Sequence, residues 1–248
     1  MSETLSVVVV IPARMGATRF PGKPLVDLLG KPMVQWVWEA CTKSGVSSEI
    51  YIATPDEEIQ AAAEGFGARV IMTRHDHVSG TDRIAEVATK VPGDIFLNVQ
   101  GDEPLVQASS IAAAAQPLVA DASLQMGSVW TECPEDEYDN PAVVKVVTDL
   151  AGDALYFSRH CIPFPRNPRV GIVKKHLGIY AYRREPLLAF NTWGASELER
   201  TEQLEQLRFM EHGVRIRMSQ GAGSELAVDT PEQADQVREM MAARGYGA

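Results

Sequence analysis

The chain has 248 residues, of which 45% are hydrophobic and 23% are charged, and its formal net charge at pH 7 is −10. These proportions are ordinary for a folded globular protein and exclude the compositions that are typical of disordered and fibrous chains. The negative charge argues against a general nucleic-acid binder and a membrane-surface protein, although a polyanionic small substrate needs only a few local cations.

The cysteines and the apolar segments indicate the compartment. Cys41, Cys133 and Cys161 are far apart and form no CxxC pair, which favours neither a disulfide framework nor a zinc knot and fits a reducing cytoplasm. Residues 1–4 carry no basic segment ahead of a long apolar run, so we expect no secretory signal. No apolar stretch reaches about 18 residues, so we expect no transmembrane helix.

The first half of the chain alternates short strands with helices. Residues 5–11 are rich in β-branched side chains, which is typical of a strand that is buried on both faces. Short alternating units predict right-handed crossovers and a mostly parallel sheet. The pattern predicts further strands at 50–53, 69–72 and 95–99, and helices at 32–45, 59–67 and 81–90.

The second half has fewer helices between its strands. Its pattern predicts an antiparallel extension of the sheet, one Glu- and Leu-rich helix at 196–212, and a last helix that begins at Pro231 with Asp229 or Thr230 as its cap. The predicted strands lie at 124–130, 143–148, 173–182 and 214–218.

The loop after the first strand, residues 12–25, holds two glycines, three cations (Arg14, Arg19 and Lys23) and no acidic residue. In an open α/β sheet such a loop leaves the carboxyl end of a strand, where ligands bind. Glycines let the backbone approach a phosphate, while N–H groups and cations neutralise its charge. The spacing fits neither a Walker loop nor GxGxxG, so we expect a phosphate site of another kind; a basic loop without a ligand is the alternative.

Two aspartates occupy positions where a metal could bind. Asp102 follows the predicted strand at 95–99, and Mg²⁺ usually takes one or two carboxylates together with substrate phosphates. A simple Gly-Asp turn is the alternative for Asp102. Asp229 is interpreted by itself as a helix cap, and it becomes a second metal ligand only if the fold returns it beside Asp102.

Histidines and hydroxyl groups follow the predicted strand at 69–72. His75 and His77 have the spacing of an H-x-H metal site, but no third ligand is evident. Ser79 opens the next helix in a Ser-Gly-Thr sequence, which we interpret as a polar site for a base or a ribose.

Polar residues of the second half form a further group. His176 and Tyr180 are four residues apart and therefore face one side of the predicted strand at 173–182. Each member by itself has an ordinary explanation, such as a structural histidine or a solvated face of a helix. The other members are Ser158, Arg159, Glu202, Glu205 and Gln206.

Together these segments resemble the 3-deoxy-manno-octulosonate cytidylyltransferase family over nearly the whole chain. The related acylneuraminate enzymes have a first loop that is richer in Lys and Gly. The resemblance rests on IPAR-x₃-TR-x-PGKPL at 11–25, SGTDR at 79–83, NVQGDEP at 98–104, NP-x₂-VKVV at 140–147, ALYFSR at 154–159, IP at 162–163, KHLGIYAY at 175–182, LEQLR at 204–208 and VDTPE at 228–232.

The resemblance implies a single three-layer α/β domain like that of the nucleotide-diphospho-sugar transferases. The nucleotide-binding half would comprise about 1–123 and 214–248, and the acceptor-sugar and dimerisation region about 124–213. The resemblance also implies a homodimer that uses Mg²⁺.

Carried over residue by residue, the resemblance assigns four groups of site residues. The CTP-binding group is Ala13, Arg14, Arg19, Lys23, Arg74, Ser79 and Gln100. The metal ligands are Asp102 and Asp229, which with Arg14 and Lys23 form the catalytic group. The sugar-binding group is Gln100, Arg159, His176, Tyr180, Glu205 and Gln206.

The implied reaction transfers CMP from CTP to the anomeric hydroxyl of 3-deoxy-D-manno-octulosonate (Kdo) and releases pyrophosphate, in the cytoplasm, for lipopolysaccharide synthesis. The segment 164–171, which would border the acceptor pocket, is shorter than in some members of the family. Two alternatives stay open: a cytidylyltransferase for a related acid sugar, such as 8-amino-Kdo or a nonulosonate, and a non-catalytic nucleotide-binding regulator with a degenerate sugar site.

Overall fold

The computed structural model describes residues 5–16 and 19–247, so the expectation for residues 1–4, and positions 17 and 18 of the first loop, lie outside the described residues. The strands are β1 (Val7–Pro12), β2 (Asp27–Leu28), β3 (Lys31–Pro32), β4 (Glu49–Thr54), β5 (Arg69–Met72), β6 (Ile95–Val99), β7 (Met126–Glu132), β8 (Lys145–Thr148), β9 (Ala154–Ser158), β10 (Lys174–Arg183) and β11 (Ile216–Gln220). The helices are α1 (Met33–Ser44), α2 (Glu57–Gly65), α3 (Gly80–Lys90), α4 (Ala108–Ala120), α5 (Arg184–Phe190), α6 (Glu197–Glu202), α7 (Gln206–Glu211) and α8 (Pro231–Ala243).

The main sheet has the strand order β11-β7-β10-β6-β1-β4-β5. Strand β10 is antiparallel to both of its neighbours, β6 and β7, whereas the other six strands on this path run in one direction. Strands β8 and β9 extend the sheet in antiparallel pairing beside the first residues of β10. The predicted α/β class, with a mostly parallel sheet and an antiparallel extension, is confirmed.

The alternation of β1 builds two cores, one on each face of the sheet. Val9 and Ile11 pack in a core with residues of α1 and α4, whereas Val8 and Val10 pack in a second core with residues of α3, α5 and α7. All four side chains are buried, as expected for a β-branched run in a strand covered on both faces. The predicted three-layer arrangement is therefore present.

The reversed strand β10 carries polar residues to the carboxyl edge of the parallel strands. Ile179 pairs with Val99, the last residue of β6, so the earlier residues of β10 extend beyond β6. The register against β7 shifts between Leu177 and Tyr180. His176 and Tyr180 therefore lie at the same edge of the sheet as the loop that follows β6.

The single helix predicted at 196–212 is wrong, because the structure has two short helices there. Gln203 adopts a left-handed conformation, φ 54, between α6 and α7. The carbonyl oxygens of Glu202 and Gln203 accept hydrogen bonds from the Arg159 side chain, at 2.7 and 3.1 Å. This contact comes from a residue far away in sequence, so the local Glu- and Leu-rich pattern could not reveal the break.

Five elements were missed by the sequence analysis: α4, α5, β9 and the two-residue strands β2 and β3. Helix α4 is rich in alanine and contains Pro117, so it shows neither a deep apolar stripe nor an uninterrupted helical pattern. Helix α5 follows β10 without a connecting loop, since Arg183 is both the last strand residue and the helix cap.

Within the described residues, no helix is long and apolar enough to cross a bilayer.

Close packing of α4 on β7 depends on Gly127. A Cβ atom at this position would overlap the carbonyl oxygen of Ala114 and lie 3.0 Å from Leu118 Cδ1. We expect Gly127→Ala to lower the free energy of unfolding by about 1–3 kcal/mol, because a rigid helix backbone has to move. Urea unfolding measures this loss. Gly65→Ala is the control, since a Cβ at that helical position contacts nothing within 4 Å, and equal stability of both variants would contradict the packing argument.

Candidate active site

The centre of the candidate site is the ammonium group of Lys23. Its Nζ atom donates to Asp102 Oδ2 at 2.6 Å, to Asp229 Oδ1 at 2.9 Å and to the carbonyl oxygen of Val228 at 3.1 Å. Arg19 donates to Asp229 Oδ2, also at 2.9 Å. The structure thus brings together the two aspartates that the sequence suggested as metal ligands, and it places a cation between them.

The helix cap of α8 leaves Asp229 available for these contacts. Thr230 caps the helix, and its hydroxyl oxygen accepts from the N–H of Gln233 at 3.3 Å. The N–H of Val228 donates to the carbonyl oxygen of Asp102 at 2.9 Å, which fixes the two aspartate segments to each other. Of the two candidate caps in the sequence, Thr230 therefore takes this role, and Asp229 faces the cluster.

Electrostatic interactions keep the cluster charged. Burial alone would lower the pKa of Lys23, but the charge and hydrogen bonds of Asp102 and Asp229 outweigh it and raise the pKa above its usual value. Burial would raise the pKa of Asp229, but its contacts with Lys23 and Arg19 lower it. Gly22, at φ 75, begins the turn that directs Lys23 toward the aspartates.

A cavity of about 270 Å³ opens beside this cluster, at the carboxyl ends of β1 and β6. Arg74, which was predicted to lie by the nucleotide, does not line the described cavity; its exposed guanidinium lies 3.3 Å from Asp76. The predicted nucleotide residues that line the cavity are Ala13, Arg14, Arg19, Lys23, Ser79 and Gln100.

Arg83 is a cavity residue that the sequence analysis missed. It is buried, it donates to the carbonyl oxygen of Arg74 at 3.1 Å, and it also donates to the hydroxyl of Thr73. Burial and the nearby charge of Arg14 lower the pKa of Arg83. The sequence position could have revealed it, because Arg83 lies one turn after Ser79 on the buried side of α3. An arginine is seldom buried unless it binds a partner or a ligand.

The aspartate pair fits a magnesium ion. Asp102 and Asp229 already share one cation, the Lys23 ammonium, so their oxygens face a common point. No group of three or more His, Cys, Asp or Glu side chains occurs in the part of the chain that the structure describes, and His77 is hydrogen-bonded to Glu86. An ion at the aspartates would therefore complete its ligand shell from substrate oxygens and water, as Mg²⁺ usually does.

A second cavity, of about 330 Å³, adjoins the first and shares Asp229 with it. Three of the predicted sugar-binding residues are not among its described lining residues: Arg159, Glu205 and Gln100, of which Gln100 lines the first cavity. The predicted residues that do line it are His176, Tyr180 and Gln206, and the unpredicted polar residues include Glu103, Glu137, Asn140, Lys175, Ser224 and Gln233.

His176 is neutral and has a defined tautomer. Burial lowers its pKa to about 3, so the ring is uncharged at pH 7. Ser128 Oγ donates to the carbonyl oxygen of Ile179 at 2.8 Å and lies 2.9 Å from His176 Nε2. The Ser128 hydroxyl has one proton and uses it on Ile179, so His176 Nε2 carries the proton of this second contact. Nδ1 of His176 is consequently a hydrogen-bond acceptor.

Tyr180 and Gln206 join β10 to α7. The Tyr180 hydroxyl donates to Gln206 Oε1 at 3.1 Å, and Gln206 is buried. Within the described residues, Gln206 Nε2 and Asn98 Nδ2 are buried donors that lack a partner. Buried amide groups are usually paired, so the Gln206 donor, which lines the second cavity, is available to a ligand, whereas Asn98 lines neither cavity.

Arg159 and Glu205 occupy places beside the second cavity. The Arg159 side chain donates to the carbonyl oxygens of Pro141, Glu202 and Gln203, at distances from 2.7 to 3.1 Å. Oε2 of Glu205 accepts from the N–H of Thr81 at 3.4 Å, at the start of α3. Burial raises the pKa of Glu205. Glu205 therefore connects the acceptor half to the first turn of α3, and the sugar contacts of both residues stay predictions.

Glu103 is a further residue that the sequence analysis did not single out. It follows Asp102, and its carboxyl group is buried on the side of the second cavity. Burial and the adjacent charge of Asp102 raise the pKa of Glu103 to about 7. The motif did not point to Glu103, because the neighbouring aspartate already explained it.

Comparison with known proteins identifies the relatives of this chain. A family described as cytidylyltransferase matches residues 8–216. The 3-deoxy-manno-octulosonate cytidylyltransferase of Geobacter metallireducens is 45% identical and covers 96% of this chain and 98% of its own length. The Escherichia coli protein of the same name is 44% identical, over 95% and 96% of the two chains.

Solved structures show the same relationship. The structure of CMP:2-keto-3-deoxy-manno-octonic acid synthetase complexed with CTP superposes with a TM-score of 0.93 at 43% identity, covering 96% of this chain and 99% of that chain. The 4-diphosphocytidyl-2C-methyl-D-erythritol synthase of Anaerococcus prevotii has a TM-score of 0.66 at 11% identity, over 97% of this chain and 100% of its own, and shares the fold alone.

Removal of the Lys23 charge tests the electrostatic description of the cluster. In the wild type the lowered pKa of Asp229 stabilises the fold above the unfolded-state value of about 3.9, and this stabilisation is lost as the pH falls through the lower folded-state value. We expect Lys23→Met to have a lower Tm than the wild type at pH 7, a smaller deficit near pH 4, and a larger Tm increase on addition of Mg²⁺.

Lys31→Met is the matched control for this measurement, because Lys31 pairs with a single carboxylate, Glu39, at 2.7 Å, away from the cavities. We expect its Tm to respond to Mg²⁺ as the wild type does. A Lys23→Met deficit that is the same at every pH, together with no added response to Mg²⁺, would contradict the description.

Proposed function

This chain belongs to the 3-deoxy-manno-octulosonate cytidylyltransferase family, and from that premise we propose that it transfers CMP from CTP to the anomeric hydroxyl of Kdo and releases pyrophosphate. One observation carries the proposal: a cavity with four cationic side chains and a second cavity lined by many polar side chains meet at Asp229. The first suits a triphosphate and the second a polyhydroxy acceptor. We propose that the product, CMP-Kdo, serves lipopolysaccharide synthesis in the cytoplasm.

On the nucleotide side, cations neutralise the triphosphate. Arg14 and Arg19 are exposed at the cavity, and the Lys23 ammonium lies at its inner wall. Each charge-assisted hydrogen bond to a phosphate oxygen contributes about 1.5–3 kcal/mol. We assign the ribose and base to the side of Ser79 and Gln100, with Ala13 supplying backbone contacts and Arg74 on the loop that Arg83 fixes.

Asp102 and Asp229 would hold Mg²⁺. When bound, the ion neutralises developing charge on the triphosphate and lowers the pKa of a coordinated hydroxyl. The negative charge of the two aspartates keeps Lys23 protonated, and a protonated Lys23 can move its hydrogen bonds from the carboxylates to phosphate oxygens. In this proposed site, the cations of the loop bind phosphate oxygens and the two aspartates bind the metal ion.

The chemical step is a direct displacement. The anomeric oxygen attacks the α-phosphorus, the bond from that phosphorus to the bridging oxygen of the β-phosphate breaks, and pyrophosphate leaves with the electron pair. The hydroxyl proton passes to solvent, since none of the assigned residues is an evident general base. Catalysis then comes mainly from positioning and charge neutralisation, as in other phosphoryl transfers.

On the acceptor side, neutral groups orient the sugar. His176 offers an acceptor at Nδ1, and Gln206 offers an unpartnered N–H group. A site built from such buried polar groups rejects ligands that leave them unpaired. We assign Arg159 to the sugar carboxylate through its remaining N–H groups, and Glu205 to the link between the acceptor and the first turn of α3.

We also propose that the chain acts as a homodimer through the region 124–213. Of the ten large hydrophobic side chains that are exposed in the described residues, five lie between residues 150 and 172. Such concentrations of exposed apolar surface are typical of protein interfaces. The five are Leu150, Leu155, Phe164, Val170 and Ile172.

The activity is tested with purified protein, CTP, Mg²⁺ and a panel of acid sugars. We expect pyrophosphate release with Kdo, and a rate at least about 100-fold lower for Asp102→Asn and Asp229→Asn, because charge stabilisation in the transition state is lost. Asp235→Asn, at an exposed position of α8 that among the described residues pairs only with Arg238, is the control. Release only with 8-amino-Kdo or a nonulosonate would support the first alternative, and CTP binding without release from any sugar would support the regulator.

A second test separates the two cavities. We expect His176→Ala to lower kcat/KM for Kdo by at least about tenfold, because a buried directional contact is lost, while the Kd for CTP stays within a few-fold of the wild type. Ser79→Ala should show the opposite pattern, with weaker CTP binding. Calorimetric titration of CTP and steady-state kinetics measure both values, and equal damage to CTP affinity in His176→Ala would place His176 in the nucleotide site or the fold.

A further inference from the structure

Two polar side chains of the second cavity have no role in the reaction described above. They are Glu103 and Ser224, and both line the cavity together with His176 and Tyr180. Within the described residues, Glu103 Oε2 and Ser224 Oγ are fully buried and make no hydrogen bond of good geometry, although the Ser224 side chain is close enough to Glu103 to offset part of the rise in the pKa of that carboxyl group that burial causes. A buried group without a partner costs about 1–3 kcal/mol, so two in one cavity need an explanation.

Glu103 lines the cavity beside a strand position that carries no side chain. Asp102 uses its carboxylate on Lys23, whereas the adjacent Glu103 faces the bulge of β10. There the chain has Gly178, and a Cβ atom at that position would lie 3.8 Å from Glu103 Oε1. Because the strand presents no side chain at this point, a ligand in the cavity can approach the carboxyl group.

Ser224 is held in a conformation that serines seldom adopt. Its φ is 57, in the left-handed region, and its N–H donates to the carbonyl oxygen of Leu105 at 3.3 Å. A non-glycine residue in this region costs about 1–3 kcal/mol and persists where the surroundings demand it. The conformation leaves the hydroxyl buried beside the cavity and unpaired, although a glycine would fit this backbone more easily.

The nearest cation of the cavity does not pair with Glu103. Lys175 Nζ donates to Glu137 Oε2 at 2.8 Å and to the carbonyl oxygen of Glu225 at 3.3 Å. Among the described residues, the Glu103 carboxyl group forms no ion pair. It can accept hydrogen bonds from hydroxyl groups, and a serine hydroxyl can both accept and donate.

We propose that Glu103 and Ser224 form a hydroxyl-recognition site that binds the polyol part of the acceptor. The inference rests on the proposed function and deepens it, since it names the groups that choose among acid sugars. Both residues then determine specificity, and neither takes part in the bond changes at phosphorus. In the free protein, Glu103 Oε2 and Ser224 Oγ lack good hydrogen bonds. In the complex, the hydroxyl groups of the acceptor supply these hydrogen bonds.

The experiment compares wild type, Ser224→Gly and Glu103→Gln with Kdo and with acceptor analogues that each lack one hydroxyl. Ser224→Gly removes the hydroxyl and relieves the left-handed backbone, so we expect an unchanged or higher Tm. We expect kcat/KM for Kdo to fall about tenfold in Ser224→Gly, with the Kd for CTP within a few-fold of the wild type. Glu132→Gln, at the exposed end of β7, is the matched control for Glu103→Gln.

The analogues distinguish recognition from a structural effect. For one missing hydroxyl, the wild type should lose the same factor in kcat/KM that the variants lose with Kdo, and the variants should show no further loss. An active wild type whose variants behave like it, or an equal loss for every analogue in all proteins, would overturn this inference alone. A wild type that releases no pyrophosphate with any acid sugar would overturn the proposed function and this inference with it.

Discussion

The site depends on one electrostatic constraint: two aspartates from distant segments face each other and need a cation between them. Lys23 supplies it in this structure, at 2.6 Å from Asp102 and 2.9 Å from Asp229. Without a cation the carboxylates would repel each other, and the loop after β1 would lose the contacts that Lys23 makes with Asp102 and Asp229. Under the proposed function, a metal ion would take the place of the ammonium group when a triphosphate brings its own negative charge to the loop.

The reversed strand β10 makes the second half of the site possible. If all strands were parallel, their carboxyl-end loops would lie at this edge, but no strand would extend beyond it. Because β10 runs in the opposite direction between β6 and β7, its first residues extend past the edge and carry His176 to the side of the aspartates. One strand thus builds the wall of the acceptor cavity and also completes the sheet.

Much of this fold could be predicted from the sequence because its signals are local. The β-branched run of β1 and the helical spacing in α1 need no partner to be recognised. The break at Gln203 could not be predicted, because it depends on hydrogen bonds from Arg159. The cap at Thr230 was one of two options until the contacts of Asp229 were known. Glu103 could not be identified in advance, because its burial is what distinguishes it and burial is not visible in the sequence.

The central claim is that the two cavities meet so closely that the acceptor hydroxyl attacks the α-phosphorus directly. The stereochemical course tests this claim, using CTP that carries sulfur on a chiral α-phosphorus and phosphorus NMR of the sugar nucleotide formed. A single in-line displacement inverts the configuration at phosphorus, and inversion is the predicted result. Retention would require two displacements through a covalent nucleotidyl-enzyme intermediate, and it would contradict the account.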